Sequence, residues 1–87
     1  MTDFLLRMGI VLKQLRRQRG LTQEELAAKA ALHRTYISDV ERGARNLSIT
    51  CLRRLSNALE TPLSEIFNHI EAGTTTPTAP GEPQKQM

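Results

Sequence analysis

Along the first stretch of the chain the hydrophobic residues Phe4, Leu5, Met8, Val11, Leu12 and Leu15 recur at steps of three and four, while Arg7, Lys13, Gln14, Arg17 and Gln18 fall mostly elsewhere. That period puts the apolar set on one face of a helix. Gly20 follows, the residue best suited to the left-handed conformation that ends a helix. Thr22-Gln23-Glu24-Glu25 then has the form of a capping box: the Thr22 hydroxyl accepts from the third amide and Glu25 reaches back. It opens a short helix to about Lys29–Ala30, with Leu26, Ala27 and Ala30 inward. Ala31-Leu32-His33 is long enough only for a tight turn. A third helix is predicted from about Arg34 to Arg42, ending at Gly43, with Ile37 and Val40 inward, Arg34, Thr35, Ser38 and Asp39 facing away and Tyr36 to one side.

Beyond a polar loop, Ser48 caps a fourth helix through Leu59, with Ile49, Leu52, Leu55, Ala58 and Leu59 as its inward positions. Thr61-Pro62 starts a fifth, where proline's missing donor costs nothing in a first turn. Its apolar stripe is Leu63, Ile66, Phe67 and Ile70. The predicted fold is all-α, five short helices over residues 3–71. Residues 72–87 hold three of the four prolines, two of the five glycines and four threonines, and no apolar side chain larger than alanine before Met87. Such a composition cannot offset the entropy of ordering, so a disordered tail is expected there.

Charge sharpens this picture. The net charge is only +3, but from Arg7 to Arg54 eleven Lys/Arg face four acids, a block of +7 beside an acidic end. A block of that kind points to a polyanionic partner. No apolar run approaches the roughly 18–20 residues needed to span a bilayer. The apolar start is broken by Arg7 and Lys13 and lacks the order of a signal peptide. The one cysteine, Cys51, forms no internal disulfide, and with His33 and His69 it makes no metal-ligand spacing. The expectation is a cytoplasmic, reduced, metal-free domain without cofactor or small-molecule ligand. No nucleophile–base set or glycine-rich phosphate loop is present, so an enzyme is not expected.

The second and third helices, joined by a three-residue turn, have the spacing of a helix-turn-helix. The outer face of the second member fits a major groove roughly 12 Å wide. Arginine there can donate two bonds to guanine and threonine can meet a thymine methyl, while Tyr36 offers a ring and a hydroxyl.

Residues 10–67 resemble the lambda-repressor/Cro-type, or Xre, helix-turn-helix family. The matching stretches are Leu15-Arg16-Arg17-Gln18-Arg19-Gly20-Leu21-Thr22-Gln23-Glu24-Glu25-Leu26-Ala27, then Tyr36-Ile37-Ser38-Asp39-Val40-Glu41-Arg42-Gly43, Arg45-Asn46-Leu47-Ser48 and Leu55…Ala58-Leu59. Phe4-Leu5-Leu6 and the run from Arg34-Thr35-Tyr36 to Ser48-Ile49 look like the controller proteins of restriction–modification systems, small dimeric regulators that time expression of the restriction enzyme. The threonine- and proline-rich tail lies outside that pattern.

The resemblance implies a role for each matching position. Arg34, Thr35, Tyr36, Ser38 and Asp39 match recognition-helix positions that reach base edges. Asp39 sits awkwardly near phosphates: it either accepts from a cytosine amine or holds Arg34 or Arg42 in place. Gln23 matches the glutamine that bonds a backbone phosphate and the side chain opening the next helix. Arg45 and Asn46 match a backbone-contacting loop, and Ser48 with the first amides of the fourth helix supplies a second anion site. Arg17 and Arg42, with Arg19 and Lys29, are either phosphate neutralisers or a solvated basic face. Arg16 and Glu41 match a structural ion pair between the first helix and the end of the recognition helix.

One helix-turn-helix reads only a few base pairs, so a homodimer on a palindromic operator, with half-sites about 34 Å apart, is expected. Leu63, Ile66, Phe67 and Ile70 are the candidate interface. Leu63 and Ile66 serve equally well to close the monomer core, whereas Phe67 and Ile70 are favoured as dimer contacts. The expected partners are thus double-stranded DNA, a second copy and RNA polymerase, touched through Ser38, Asp39 and Glu41 to Gly43, where relatives meet it. The rival reading is an antitoxin or anti-regulator whose helices grip a protein.

Overall fold

The computed structural model describes residues 2–72, and all of its regular structure is helical: α1 (Thr2–Gln18), α2 (Gln23–Ala30), α3 (Arg34–Glu41), α4 (Ile49–Ala58) and α5 (Leu63–Ala72). Apart from Ala72, which closes α5, the expected disordered tail lies outside the described residues. No helix among the described residues is long and apolar enough to cross a membrane.

α1 is the spine. It packs on α3 and α5, α2 packs on α3 and α4, and α4 meets α5. Met8, Val11, Leu12 and Leu15 bury one face of α1 against Leu26, Ala27 and Ala30 of α2, Ile37 and Val40 of α3, and Leu55, Ala58, Leu59, Ile66 and Ile70 beyond. Each fully buried aliphatic side chain stabilises by about 1.5–3 kcal/mol relative to exposure. This shared core is what holds the short α2 and α3, since helices under about 12 residues are marginal alone.

The helix ends follow local chemistry. Both halves of the Thr22–Glu25 capping box are present. Gly20 and Gly43 have φ of +72° and +74°, and a Cβ on Gly43 would also lie 2.7 Å from the Leu6 side chain. Ala31 ends α2 at φ 58°, a left-handed conformation that costs an alanine about 1–2 kcal/mol. Glu60 takes the same conformation at φ 54° after α4.

Several expected positions are corrected. Ile49, expected inward, is 69% exposed. As the first residue of α4 its side chain tilts back past the end of the helix, where nothing packs on it. The buried positions of α5 are Ile66, His69 and Ile70. Ile66 and Ile70 are fully buried within their own chain, so neither has surface left for a partner, and the expectation that Ile70 is a dimer contact fails. Leu63 and Phe67 stay half-exposed. His69, left out of the expected apolar stripe, is buried, with Nε2 3.7 Å from Glu65 and no hydrogen-bond partner at either nitrogen. At the predicted start of the fifth helix the Thr61 hydroxyl donates to the Leu59 carbonyl, and the Pro62 carbonyl accepts from the Glu65 and Ile66 amides.

Candidate nucleic-acid interface

α3 is an eight-residue helix, about 12 Å long. Ile37 and Val40 fasten its inner side to the core, which turns Arg34, Thr35 and Ser38 outward. Among the described residues, the side chains of these three make no hydrogen bond or ion pair. They are therefore open to an external partner. His33 stands at the N-cap without a side-chain hydrogen bond, so the first-turn amides of α3 lack a side-chain acceptor. Unsatisfied donors at a helix start, with its positive dipole end, favour an anion.

The far end of α3 is tied down by a buried ion pair. Arg16 Nε donates to Glu41 Oε2 at 2.7 Å and Arg16 Nη2 to Oε1 at 3.1 Å, with the side chains only 9% and 4% exposed. Arg16 Nη1 also donates to the Leu21 carbonyl at 2.8 Å. Gln23 Nε2 donates to Glu41 Oε1 at 2.9 Å. Gln23 was expected to bond the side chain that opens α3; its partner is the residue that closes it. The α1 spine and the start of α2 thus meet the end of α3 at one carboxylate, and the turn after α1 joins through the Arg16 guanidinium.

A second cluster lies beside the outward face. Asp39 accepts from Arg42 at Oδ1 (2.5 Å) and from Arg45 at Oδ2 (3.3 Å). Of the alternatives for Asp39, the structure shows restraint of arginine, with Arg42 and Arg45 held rather than Arg34. The Arg45 guanidinium lies 4.9 Å from the centre of the Tyr36 ring, a cation–π contact. Burial, and then its contact with Cys51, raise the Tyr36 hydroxyl above its ordinary pKa. Ser48 first, then Tyr36, lower that of the Cys51 thiol, as a hydroxyl donating to the thiolate must. Geometrically, the Tyr36 ring is held from the loop side by the Arg45 guanidinium.

Other basic residues divide by use. Arg17 is exposed, as are Arg42, Arg45 and Asn46. The Ser48 hydroxyl caps α4 by accepting from the Cys51 amide at 3.1 Å. Arg19 is exposed but partly engaged: it donates to the carbonyls of Leu59 and Glu60 at 2.7 and 3.0 Å, closing the C-terminal end of α4.

Gly9 went unnoticed in the sequence. A Cβ there would lie 2.6 Å from the carbonyl oxygens of both Val40 and Glu41, so α1 and α3 touch backbone to backbone. A lone glycine inside a helical run was the signal, because it costs about 1 kcal/mol against alanine unless close approach demands it.

The helix-turn-helix family matches residues 12–66 of the chain. The control protein C.MunI of Mycoplasma sp is 44% identical over 72 residues, covering 82% of this chain and 97% of that protein. The control protein C.BamHI of Bacillus amyloliquefaciens is 38% identical, covering 75% and 82%. Among solved structures, the restriction–modification controller protein C.Esp1396I, a tetramer in complex with its natural 35 base-pair operator, superposes with a TM-score of 0.73 at 39% identity, covering 79% of this chain and 91% of that one.

Proposed function

Because the chain belongs to the helix-turn-helix family of Xre type and is similar to restriction–modification controller proteins, we propose that it acts as the controller of such a system. It is a sequence-specific, DNA-binding transcriptional regulator and not an enzyme. In our reading it binds a palindromic operator as a homodimer and acts on its own gene. The observation that carries this is the outward face of α3: Arg34, Thr35 and Ser38 stand unengaged on a helix fixed to the core by Ile37 and Val40 and to α1 by the Glu41 ion pair.

In this reading Arg34 and Thr35 reach base edges, Ser38 follows one turn on, and Tyr36 offers its ring edge. Gln23, Arg17, Arg42, Arg45, Asn46 and Ser48 meet the sugar-phosphate backbone from the start of α2, the end of α1 and the approach to α4. Backbone contacts fix register without reading sequence, whereas α3 supplies the sequence information. The half-exposed Leu63 and Phe67 on α5 are the dimer contacts. A dimer over a promoter blocks RNA polymerase; one just upstream recruits it through Ser38, Asp39 and the exposed Arg42, since Glu41 is buried in its ion pair.

Duplexes selected from a random pool provide the test. Arg34→Ala is expected to weaken binding to the selected operator by about 1–3 kcal/mol while leaving binding to random duplex nearly intact. Arg45→Ala is expected to weaken both together and to make the salt dependence shallower by about one phosphate contact. Competition titrations at several salt concentrations give both numbers, and equal losses for the two variants on the two duplexes contradict the division of roles.

A further inference from the structure

We infer that Asp39 is a positioning residue for DNA recognition: it latches Arg42 and Arg45 to the recognition helix and suppresses binding to the wrong sequence. This rests on the duplex-binding reading above. The carboxylate stands on α3, one turn beyond Thr35, and each of its oxygens takes one arginine. Its side chain is 21% exposed, against 61% for Arg42 and 48% for Arg45, so the acid lies inside the cluster and the arginines outside it. Gly43, at φ +74°, makes the turn that folds the chain back, and the Ala44 amide bonds the Asp39 carbonyl at 2.9 Å, which brings Arg45 within reach. Arg45 is then sandwiched between the carboxylate and the Tyr36 ring.

Two consequences follow from charge and geometry. One of the two positive charges is neutralised in the free protein, so fewer counterions are released on a random duplex and sequence-independent affinity falls. The remaining charge is held at a fixed place relative to Arg34 and Thr35, so phosphates are gripped well only when the bases also fit. An arginine already ordered by a partner loses less freedom when it binds. The carboxylate is thus a discriminator without reading any base.

Asp39→Asn keeps the volume and removes the charge. On random duplex its affinity is expected to rise about three- to tenfold at low salt, with a salt slope steeper by about 0.9. On the selected operator no such gain is expected, so the ratio of specific to random binding falls by about the same factor. In a chain already carrying Arg42→Ala and Arg45→Ala, Asp39→Asn should change that ratio by less than about twofold. A readout without DNA is available, because Tyr36 is the only tyrosine and tryptophan is absent. The tyrosine absorbance and fluorescence of the free protein should shift when Asp39→Asn loosens Arg45 from the ring. Equal change on both duplexes, or altered preference at a single base pair with random binding unchanged, overturns the latch; the second outcome makes Asp39 a base reader. An unmoved Tyr36 signal also overturns it. A wild-type chain with no preference among duplexes overturns the function reading itself, whatever Tyr36 does.

Discussion

Glu41→Ala is expected to remove about 3–5 kcal/mol of folding stability, the range for a buried ion pair that loses one member. The cost arises in what remains. Arg16 keeps only the Leu21 carbonyl as acceptor, and its guanidinium is left charged, buried and short of partners. Gln23 loses its acceptor as well. Against a total of about 5–15 kcal/mol for native domains, the loss leaves little margin. Each kcal/mol lowers the midpoint by about 4–8 °C in a domain of this size, so thermal denaturation followed by circular dichroism should show a fall well over about 10 °C. Two further variants separate the explanations. Glu41→Gln keeps the shape and the Gln23 contact but not the charge, and should fall between. Arg16→Met with Glu41→Leu removes both ions, and should recover much of the loss because no charge stays buried. A drop under about 1 kcal/mol for Glu41→Ala places the pair with weak surface bridges and contradicts the assignment.

The second large effect is expected at Gly9. Alanine there gains about 1 kcal/mol of intrinsic helix preference, so propensity alone predicts a more stable protein. The structure predicts the opposite. Two carbonyl oxygens at 2.6 Å from the added carbon belong to backbone and cannot swing aside as a side chain would. α1 must move away from the end of α3, at the typical cost of about 1–3 kcal/mol for overpacking a dense interface. The same movement stretches the Arg16–Glu41 pair, which crosses between these two helices. Gly9→Val should be worse than Gly9→Ala, since both extra methyls enter the same gap. Urea denaturation of the two variants checks the order; a stabilised Gly9→Ala contradicts the close approach.

Much of this architecture was legible from one-dimensional pattern. The three- and four-residue steps of α1, the Thr22 capping box, Gly20 and Gly43 are local signals, and local physics decides them. The misreadings arise where a neighbour decides. Ile49 fits the period of α4, but it occupies the first helical position, and no element covers it. His69 lies three residues beyond Ile66, a position as inward as Ile70, yet a polar type hid the fact. Whether a half-apolar stripe on α5 closes its own core or meets a second copy depends on how α1 and α4 pack against it, which periodicity does not reveal.

The candidate interface divides in the same way. Arg34 and Thr35 were legible because an exposed helix face needs no partner to be recognised. The Asp39–Arg42 pair follows from their spacing on one helix. Arg45 reaching back over Tyr36 depends on the fold of the 43–46 turn, and the contact between Tyr36 and Cys51 on that of α4. Within the protein Gln23 bonds Glu41 and not the side chain opening α3, because Glu41 comes within its reach only once α2 and α3 are packed.

The claim that α3 reads bases is tested most directly by changing the DNA. Single 7-deazaguanine substitutions, scanned through the selected operator, each delete one major-groove N7 acceptor while leaving base pairing intact. The expected result is one guanine per half-site whose substitution weakens the wild-type chain by about tenfold and leaves Arg34→Ala unaffected, because the bond is already gone. Should every substitution be silent in the wild type, or should Arg34→Ala respond to all of them as the wild type does, Arg34 does not meet a base edge and α3 is not the reading element.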